Sequence, residues 1–195
     1  MIKGIVFDLD GTLVRLPIRY DLVQNNLKKI FNTQDEFKPL IAAVVSFAKG
    51  NASKINEAFE SICQEESRAA DEIEIIENAF EVLQFFKSKQ VKLGLVTMQC
   101  RKAVEKVMSK IDQLNVFSSI ISRDESYDRK EQIEKTLEGL QLVPDEVLVI
   151  GDRIHDIVSA KKAGCRAILV NREKSKHVDV ETVEKLANLK NISLV

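Results

Sequence analysis

Val6-Phe7-Asp8-Leu9-Asp10-Gly11-Thr12-Leu13 is the stretch of this sequence that says most about its fold. The apolar run at residues 5–7 is typical of a buried strand, and Asp10-Gly11 is typical of the turn that ends one. A carboxylate at the end of such a strand is costly to bury unless a cation or hydrogen bonds stabilise it. An ordinary Asp-Gly turn would explain Asp10 but not Asp8, so we interpret the two acids as a functional pair.

Four more short apolar runs are typical of buried parallel strands. Together with the first they cover residues 3–8, 91–97, 118–122, 146–152 and 166–170. Helical patterns separate the later runs, over 102–111, from about 130 and over 154–163, and a further helix is expected over about 72–89. This alternation predicts an α/β fold with a doubly wound, mainly parallel, Rossmann-like sheet.

Residues 16–71 break that rhythm, because they contain three helical patterns and no strand. The sequence therefore predicts a small all-helical cap inserted after the first strand, with residues 1–15 and 72–195 forming the core. The middle cap helix, at about 40–48, is apolar nearly all round. It is either buried inside the cap or placed with one side over a substrate.

Composition restricts the partners and the compartment. The 195 residues carry 29 basic and 30 acidic side chains, a net charge of -1, so no electrostatic argument favours nucleic acid or a membrane surface. No apolar run approaches the ~20 residues that span a bilayer, and the first residues lack a signal-peptide pattern. We expect a cytoplasmic monomer or homodimer in which Cys63, Cys100 and Cys165 are reduced thiols.

Polar residues follow the predicted strands where ligands bind in parallel α/β sheets, beyond the carboxyl ends. They are Asp8, Asp10, Thr97, Lys130, Asp152 and Asp156. Such a set suits phosphate ester hydrolysis. Asp8 can attack phosphorus and form an aspartyl-phosphate, and Asp10 can protonate the leaving oxygen and later deprotonate water. Mg²⁺ would neutralise charge between the anionic nucleophile and the anionic ester.

Each remaining member has a local alternative. Asp152 is expected to share the Mg²⁺ with Asp8, although it could simply cap the next helix, and Asp156 could touch the metal through water or hold the loop. Thr97 is expected to bind a phosphate oxygen rather than only local backbone groups. Lys130 is the predicted phosphate-binding cation, with Arg129 as its competitor, although a solvated helix start would also place charges there.

The residues resemble those of the haloacid dehalogenase superfamily, on its phosphatase branch, over essentially the full length. Residues 8–13 match the first family motif, Thr97 the second, Lys130 the third and residues 151–156 the fourth. The resemblance implies Asp8 as nucleophile, Asp10 as general acid and base, and Mg²⁺ held by Asp8, the Asp10 backbone carbonyl and Asp152. The helical insertion is similar to the cap of the phosphoglycolate phosphatase type.

The chain departs from the family pattern at two positions. Met98 follows the motif-two threonine, where Asn or Ser is frequent, and Glu131 follows Lys130, where proline is frequent. The acid at position 10 distinguishes this chain from the dehalogenase and phosphonatase branches and favours phosphate ester chemistry. Arg15, just after the motif-one turn, is a candidate anion contact from the hinge, with surface exposure as the alternative.

The predicted activity is therefore that of a Mg²⁺-dependent phosphatase acting on a small phosphorylated metabolite, similar to phosphoglycolate or a sugar phosphate. Two rivals use related chemistry. A phosphomutase of the same family would return the phosphate to a sugar instead of water. A signalling receiver would accept phosphate on the same kind of sheet, although the Asp8-Leu9-Asp10 pattern and the large insertion argue against it.

Overall fold

The computed structural model describes residues 1–111, 114–170 and 180–194. The strands are β1 (Gly4–Asp8), β2 (Val14–Arg15), β3 (Glu74–Ile75), β4 (Lys92–Val96), β5 (Ser119–Ile121), β6 (Val147–Gly151), β7 (Arg166–Val170) and β8 (Thr182–Val183). The α-helices are α1 (Tyr20–Phe31), α2 (Leu40–Ala48), α3 (Ala52–Ala69), α4 (Ala79–Ser88), α5 (Arg101–Ile111), α6 (Arg129–Leu140) and α7 (Ile154–Lys162). Short 3₁₀ segments lie at Ala70–Glu72, Leu114–Val116, Pro144–Glu146 and Leu186–Asn191.

Six of these strands form one parallel sheet in the order β5-β4-β1-β6-β7-β8. Strand β1 is central and buried along its whole length. Alternate residues of a strand point to opposite faces, so Phe7 packs with Phe86 and Val104 on one side, while Val6 packs with Ile133 and Ile157 on the other. Helices on both faces confirm the predicted doubly wound α/β fold.

The predicted helix over 72–89 is wrong in its first half. Helix α4 begins only at Ala79, because the preceding residues pair with the chain just after β1. In the antiparallel β2–β3 ribbon Ile75 pairs with Val14, and the Ile76 N–H donates to the Leu13 carbonyl at 3.0 Å. Local apolar spacing fitted a helix, but these long-range backbone hydrogen bonds favour an extended segment.

Helices α1, α2 and α3 bury their own apolar cluster, separate from those of the sheet. It contains Val23, Leu27, Phe37, Val44, Ala58 and Ile62. At the end of α3, Glu65 accepts hydrogen bonds from Arg19 and Arg68, and the bonds from Arg19 are the main reason why the pKa of Glu65 is lowered to about 2. This ion-pair group joins α3 to the chain that enters α1.

The expectation of three reduced thiols is wrong for two of them. Cys63 in α3 and Cys100 before α5 form a disulfide, whereas Cys165 is a free, buried thiol whose pKa burial raises to about 11. The two bonded cysteines are 37 positions apart in sequence, and only the packing of α3 against α5 brings them together. Sequence spacing gave no sign of that contact.

None of the helices in the described ranges combines the length and apolar character needed to cross a bilayer.

Candidate active site

Three carboxylates meet at the carboxyl ends of β1 and β6. Asp8 is the last residue of β1, Asp152 follows β6 directly, and Asp156 lies in the first turn of α7. One oxygen from each lies within 4.8 Å of the others. Because β1 and β6 are paired neighbours, the sheet itself brings these acids together.

Two glycines permit this close approach. A Cβ on Gly11, whose φ is +88°, would lie 2.2 Å from an oxygen of Asp152. A Cβ on Gly151 would lie 2.5 Å from an oxygen of Asp156. The turn after β1 can therefore pack against the fourth motif only with glycine at position 11.

Arg129, the first residue of α6, lies between two of these acids and is buried with them. Its Nη2 donates to Asp8 at 2.8 Å, and its Nε lies 3.1 Å from Asp156. Among the described residues, neither Nε nor the third guanidinium nitrogen, Nη1, has a hydrogen-bond partner, and both are buried. Arg129 thus carries a fixed positive charge and an unused donor at this end of the sheet.

Burial controls the titration of the acids. It is the largest cause raising the pKa of Asp8 well above its usual value, and Arg129 opposes it while the neighbouring acids reinforce it. Burial likewise raises the pKa of Asp152, against the attraction of Arg153. Crowded, buried carboxylates of this kind are stabilised in their charged form by a bound cation.

Asp10 lies beside this group, in the turn after β1. One of its side-chain oxygens accepts the Leu16 N–H at 2.9 Å, which fixes the carboxyl group. Burial raises the pKa of Asp10, and the bond from Leu16 and the charge of Arg153 partly offset that shift. The structure gives no test of the predicted metal contact through the Asp10 backbone carbonyl, which stays a prediction.

Thr97 follows β4 and is fully buried. Its hydroxyl donates to the Gln99 side chain, and its carbonyl accepts from Gln132 of α6 at 2.8 Å. These contacts join the second motif to α6, and the next residues, Met98 and Gln99, line the cavity above the acids.

Two predicted anion-binding residues are not brought to this group. Lys130 is half exposed and its Nζ pairs with Glu134 on the same helix. Arg15 is exposed in the β2–β3 ribbon, where it lies 3.5 Å from Glu74. Adjacent residues on a helix point in different directions, and at the start of α6 it is Arg129 that turns inward.

The donor set fits a hard divalent cation. Carboxylate oxygens are the ligands that Mg²⁺ prefers, and within the described ranges the three acids form ion pairs with a single guanidinium, that of Arg129. One oxygen of Asp152 is buried with no hydrogen-bond partner among the described residues. An unpartnered buried carboxylate oxygen is explained by a ligand that binds there.

A cavity of about 540 Å³ lies above these acids and is roofed by α1, α2 and α3. Besides Asp8 and Asp10 it is lined by residues that the sequence reasoning did not select, namely Tyr20, Glu66, Tyr127 and Arg153. Burial is the main cause that raises the pKa of Tyr20, and the charge of Arg153 opposes it. Arg153 lies within the fourth motif, directly after Asp152, and that position could have drawn attention to it. Tyr20, Glu66 and Tyr127 come from separate elements with no common spacing, so no sequence signal could have grouped them.

This doubly wound fold with an acidic cluster at its strand ends is typical of hydrolases that use an aspartate. A family model described as haloacid dehalogenase-like hydrolase matches residues 5–170. The chain belongs to this family and is a hydrolase. A protein named pyrophosphatase PpaX from Bacillus mycoides (strain KBAB4) is 31% identical over 182 residues, covering 87% of this chain and 84% of the relative. Family and relatives together support phosphoric ester hydrolysis.

Solved structures share the fold at low sequence identity. A predicted phosphoglycolate phosphatase from Haemophilus somnus 129PT is 19% identical with a TM-score of 0.69, over 97% of each chain. CbbY from Rhodobacter sphaeroides, in complex with xylulose-1,5-bisphosphate, is 16% identical with a TM-score of 0.72, over 97% of this chain and 96% of that one. At such low identity, these two comparisons show only that this chain shares their fold.

Proposed function

We propose that this protein is a Mg²⁺-dependent phosphatase that hydrolyses a small phosphorylated metabolite through an aspartyl-phosphate on Asp8. The observation that carries the proposal is the group of Asp8, Asp152 and Asp156 with Arg129 at the carboxyl ends of the central strands. Its position below a cavity gives an ester room to approach Asp8.

The first step forms a bond between an Asp8 oxygen and phosphorus while the bond from phosphorus to the leaving oxygen breaks. Asp10 gives its proton to that oxygen, and the burial that raises its pKa acts in the direction that favours a proton donor. In the second step Asp10 takes a proton from water as the water attacks phosphorus. Phosphate then leaves and the Asp8 carboxylate is restored.

Positive charge must accompany both steps because nucleophile and ester are both anionic. Asp8 and Asp152 would hold Mg²⁺, with Asp156 in contact with it or orienting Arg129, and the ion would neutralise charge on the transferred phosphoryl group. The unused Nη1 donor of Arg129 would bind a phosphoryl oxygen. The Thr97 segment would contribute a further phosphate contact.

The cap of residues 16–71 would enclose the rest of the substrate, with residues 1–15 and 72–195 as the catalytic core. This division is supported by the separate apolar cluster of α1 to α3 and by their place above the acids. From the sequence we also propose that the protein is a monomer or homodimer and that it is cytoplasmic.

The decisive experiment compares wild type with Asp8→Asn, using an aryl phosphate and a free-phosphate assay with Mg²⁺ or with excess chelator. We expect many phosphates released per chain by wild type with Mg²⁺, and a loss of at least 10³-fold in either the variant or the chelated enzyme. Substantial turnover by Asp8→Asn would exclude Asp8 as nucleophile. Release limited to one phosphate per chain would indicate a receiver, and transfer to a sugar would indicate a mutase.

A further inference from the structure

The part of the cavity lining that the helical insertion supplies is largely apolar. Its apolar wall is formed by Ile18, Pro39, Leu40, Ile41, Ala42 and Ile62, which come from the helical insertion and the segment leading into it. The cavity of about 540 Å³ is much larger than a phosphate group needs. Most of the space is therefore left for the organic part of an ester, and this wall is what that part would touch.

Helix α2 supplies Leu40, Ile41 and Ala42 of this wall. The sequence left two interpretations of this apolar helix, burial inside the cap or a position over the substrate, and the helix combines both. Val44 is buried in the cluster of the helical insertion, and Leu40 and Ile41 pack against that cluster. Leu40 and Ile41 also line the cavity, together with Ala42. An apolar side that faces a cavity instead of a core is costly to hydrate, so it favours an apolar ligand.

The basic side chains among the described residues that line the cavity are Arg129, Arg153 and His155, all outside the helical insertion. Of the described arginines that line the cavity, Arg129 contacts Asp8 and Asp156, while the charge of Arg153 acts on Asp10 and Asp152. Their charge is directed to the acids and to a phosphoryl group placed there. Neither belongs to the helical insertion, which supplies the apolar wall.

The charged side chain that α3 contributes to the cavity is an acid that is already satisfied. Glu66 accepts from Arg123 at 2.7 and 3.0 Å and from the Cys100 N–H at 2.9 Å, and both members of the ion pair are buried. The Glu66 carboxylate repels a second anion, and the nearest cation, Arg123, is already paired with Glu66. A carboxylate or second phosphate against this side would lose its hydration without compensation.

We infer that the substrate, on the proposed phosphatase function, is the phosphate monoester of an apolar organic group, with one phosphate and no second anion. The apolar wall receives the organic group, and the acids, the cation and Arg129 receive the phosphate. Esters that carry a carboxylate or a second phosphate are poor substrates, because the second anion would lose its hydration against the apolar wall without gaining a partner.

The test uses wild-type enzyme, Mg²⁺ and primary alkyl phosphates of increasing length, because their leaving oxygens are chemically alike. Ethyl, butyl and hexyl phosphate are compared with glycerol phosphate, phosphoglycolate and pyrophosphate by free-phosphate release. We expect kcat/KM to rise about fourfold for each methylene that enters the cavity, and hexyl phosphate to exceed phosphoglycolate by at least 100-fold. Preference for phosphoglycolate or pyrophosphate would overturn the inference and leave the phosphatase function standing. No release from any ester would overturn the function itself.

Two lysine variants on α2 test whether the apolar wall contacts the organic group of the substrate. Ala42 and Ser46 are both exposed, but only Ala42 lines the cavity. We expect Ala42→Lys to lower kcat/KM for hexyl phosphate about tenfold and to raise it for phosphoglycolate, while Ser46→Lys changes neither. Unfolding temperatures of both variants verify the fold. Equal substrate profiles in the two variants would overturn the inferred role of the wall.

Discussion

Arg129 and Lys130 are neighbours in the chain but have opposite surroundings. The Arg129 guanidinium is buried against Asp8 and Asp156, while Lys130 is half exposed and pairs with Glu134. A buried, fixed donor acts on a transferred phosphoryl group far more strongly than a hydrated one, because solvent screens the latter. The cation of this candidate site is therefore decided by which side chain the first turn of α6 turns inward.

Replacing each of these cations separately tests that conclusion. We expect Arg129→Ala to lower kcat/KM for an aryl phosphate by about 10²–10³-fold, the effect of removing one preorganised donor. Lys130→Ala is expected to stay within about threefold of wild type. The measurement is steady-state kinetics at saturating Mg²⁺, with thermal unfolding to verify that Arg129→Ala folds. A larger loss in Lys130→Ala would restore the assignment made from the sequence.

The turn after β1 connects two parts of the sheet that are far apart in sequence. Its Gly11 lies against Asp152, which follows β6, and the short β2–β3 ribbon anchors the chain beyond it. Gly11 and Gly50 both adopt positive φ, +88° and +80°, but nothing lies within 4 Å of a Cβ added at Gly50. A side chain at Gly50 therefore introduces backbone strain alone, whereas a side chain at Gly11 introduces the same strain and a clash with Asp152.

Alanine at each glycine makes a matched pair. Both substitutions should lower the free energy of unfolding by about 1–2 kcal/mol, the ordinary effect of a left-handed non-glycine residue. Only Gly11→Ala displaces Asp152, so we expect it alone to raise the Mg²⁺ concentration for half-maximal activity at least tenfold. Chemical denaturation and a Mg²⁺ titration of phosphate release measure the two effects. Comparable Mg²⁺ requirements in both variants would mean that Asp152 does not hold the metal.

A covalent and an ionic contact are among those that join the helical insertion to the core on one side of the molecule. The Cys63–Cys100 disulfide and the buried Glu66–Arg123 ion pair lie one turn of α3 apart. Both connect α3 to segments that follow strands of the central sheet, next to the cavity. The position of the insertion over the acids is thus set by a covalent and an ionic link together.

Reduction should loosen this attachment. A disulfide that closes a loop of this length contributes about 2–4 kcal/mol, which corresponds to roughly 5–15 °C in unfolding temperature for a chain of this size. We expect a reductant to lower the unfolding temperature of wild type by that amount, and to leave a Cys63→Ser, Cys100→Ser double variant unchanged. Thiol alkylation followed by mass spectrometry reports the redox state. A reductant effect of equal size in the double variant would remove the disulfide as its cause.

The sequence by itself determined the doubly wound sheet, its central strand and the acids at the strand ends. These are local signals, because a few consecutive residues suffice to predict each of them. A short apolar run predicts a buried strand, and the Asp-Gly pair predicts where that strand ends. The sequence also determined the helical content of the insertion. For the same reason it failed just before α4, where apolar spacing allowed a helix but residues 74–76 pair with the chain after β1 and form a ribbon.

Only the tertiary structure decided which cation faces Asp8, which cysteines bond and what lines the cavity. Arg129 meets an acid 121 positions away, and Cys63 meets a partner 37 positions away. Such contacts depend on how helices pack on the sheet and on which way a side chain points at the end of an element. Those directions arise from packing of the whole chain, and no local pattern of residues encodes them.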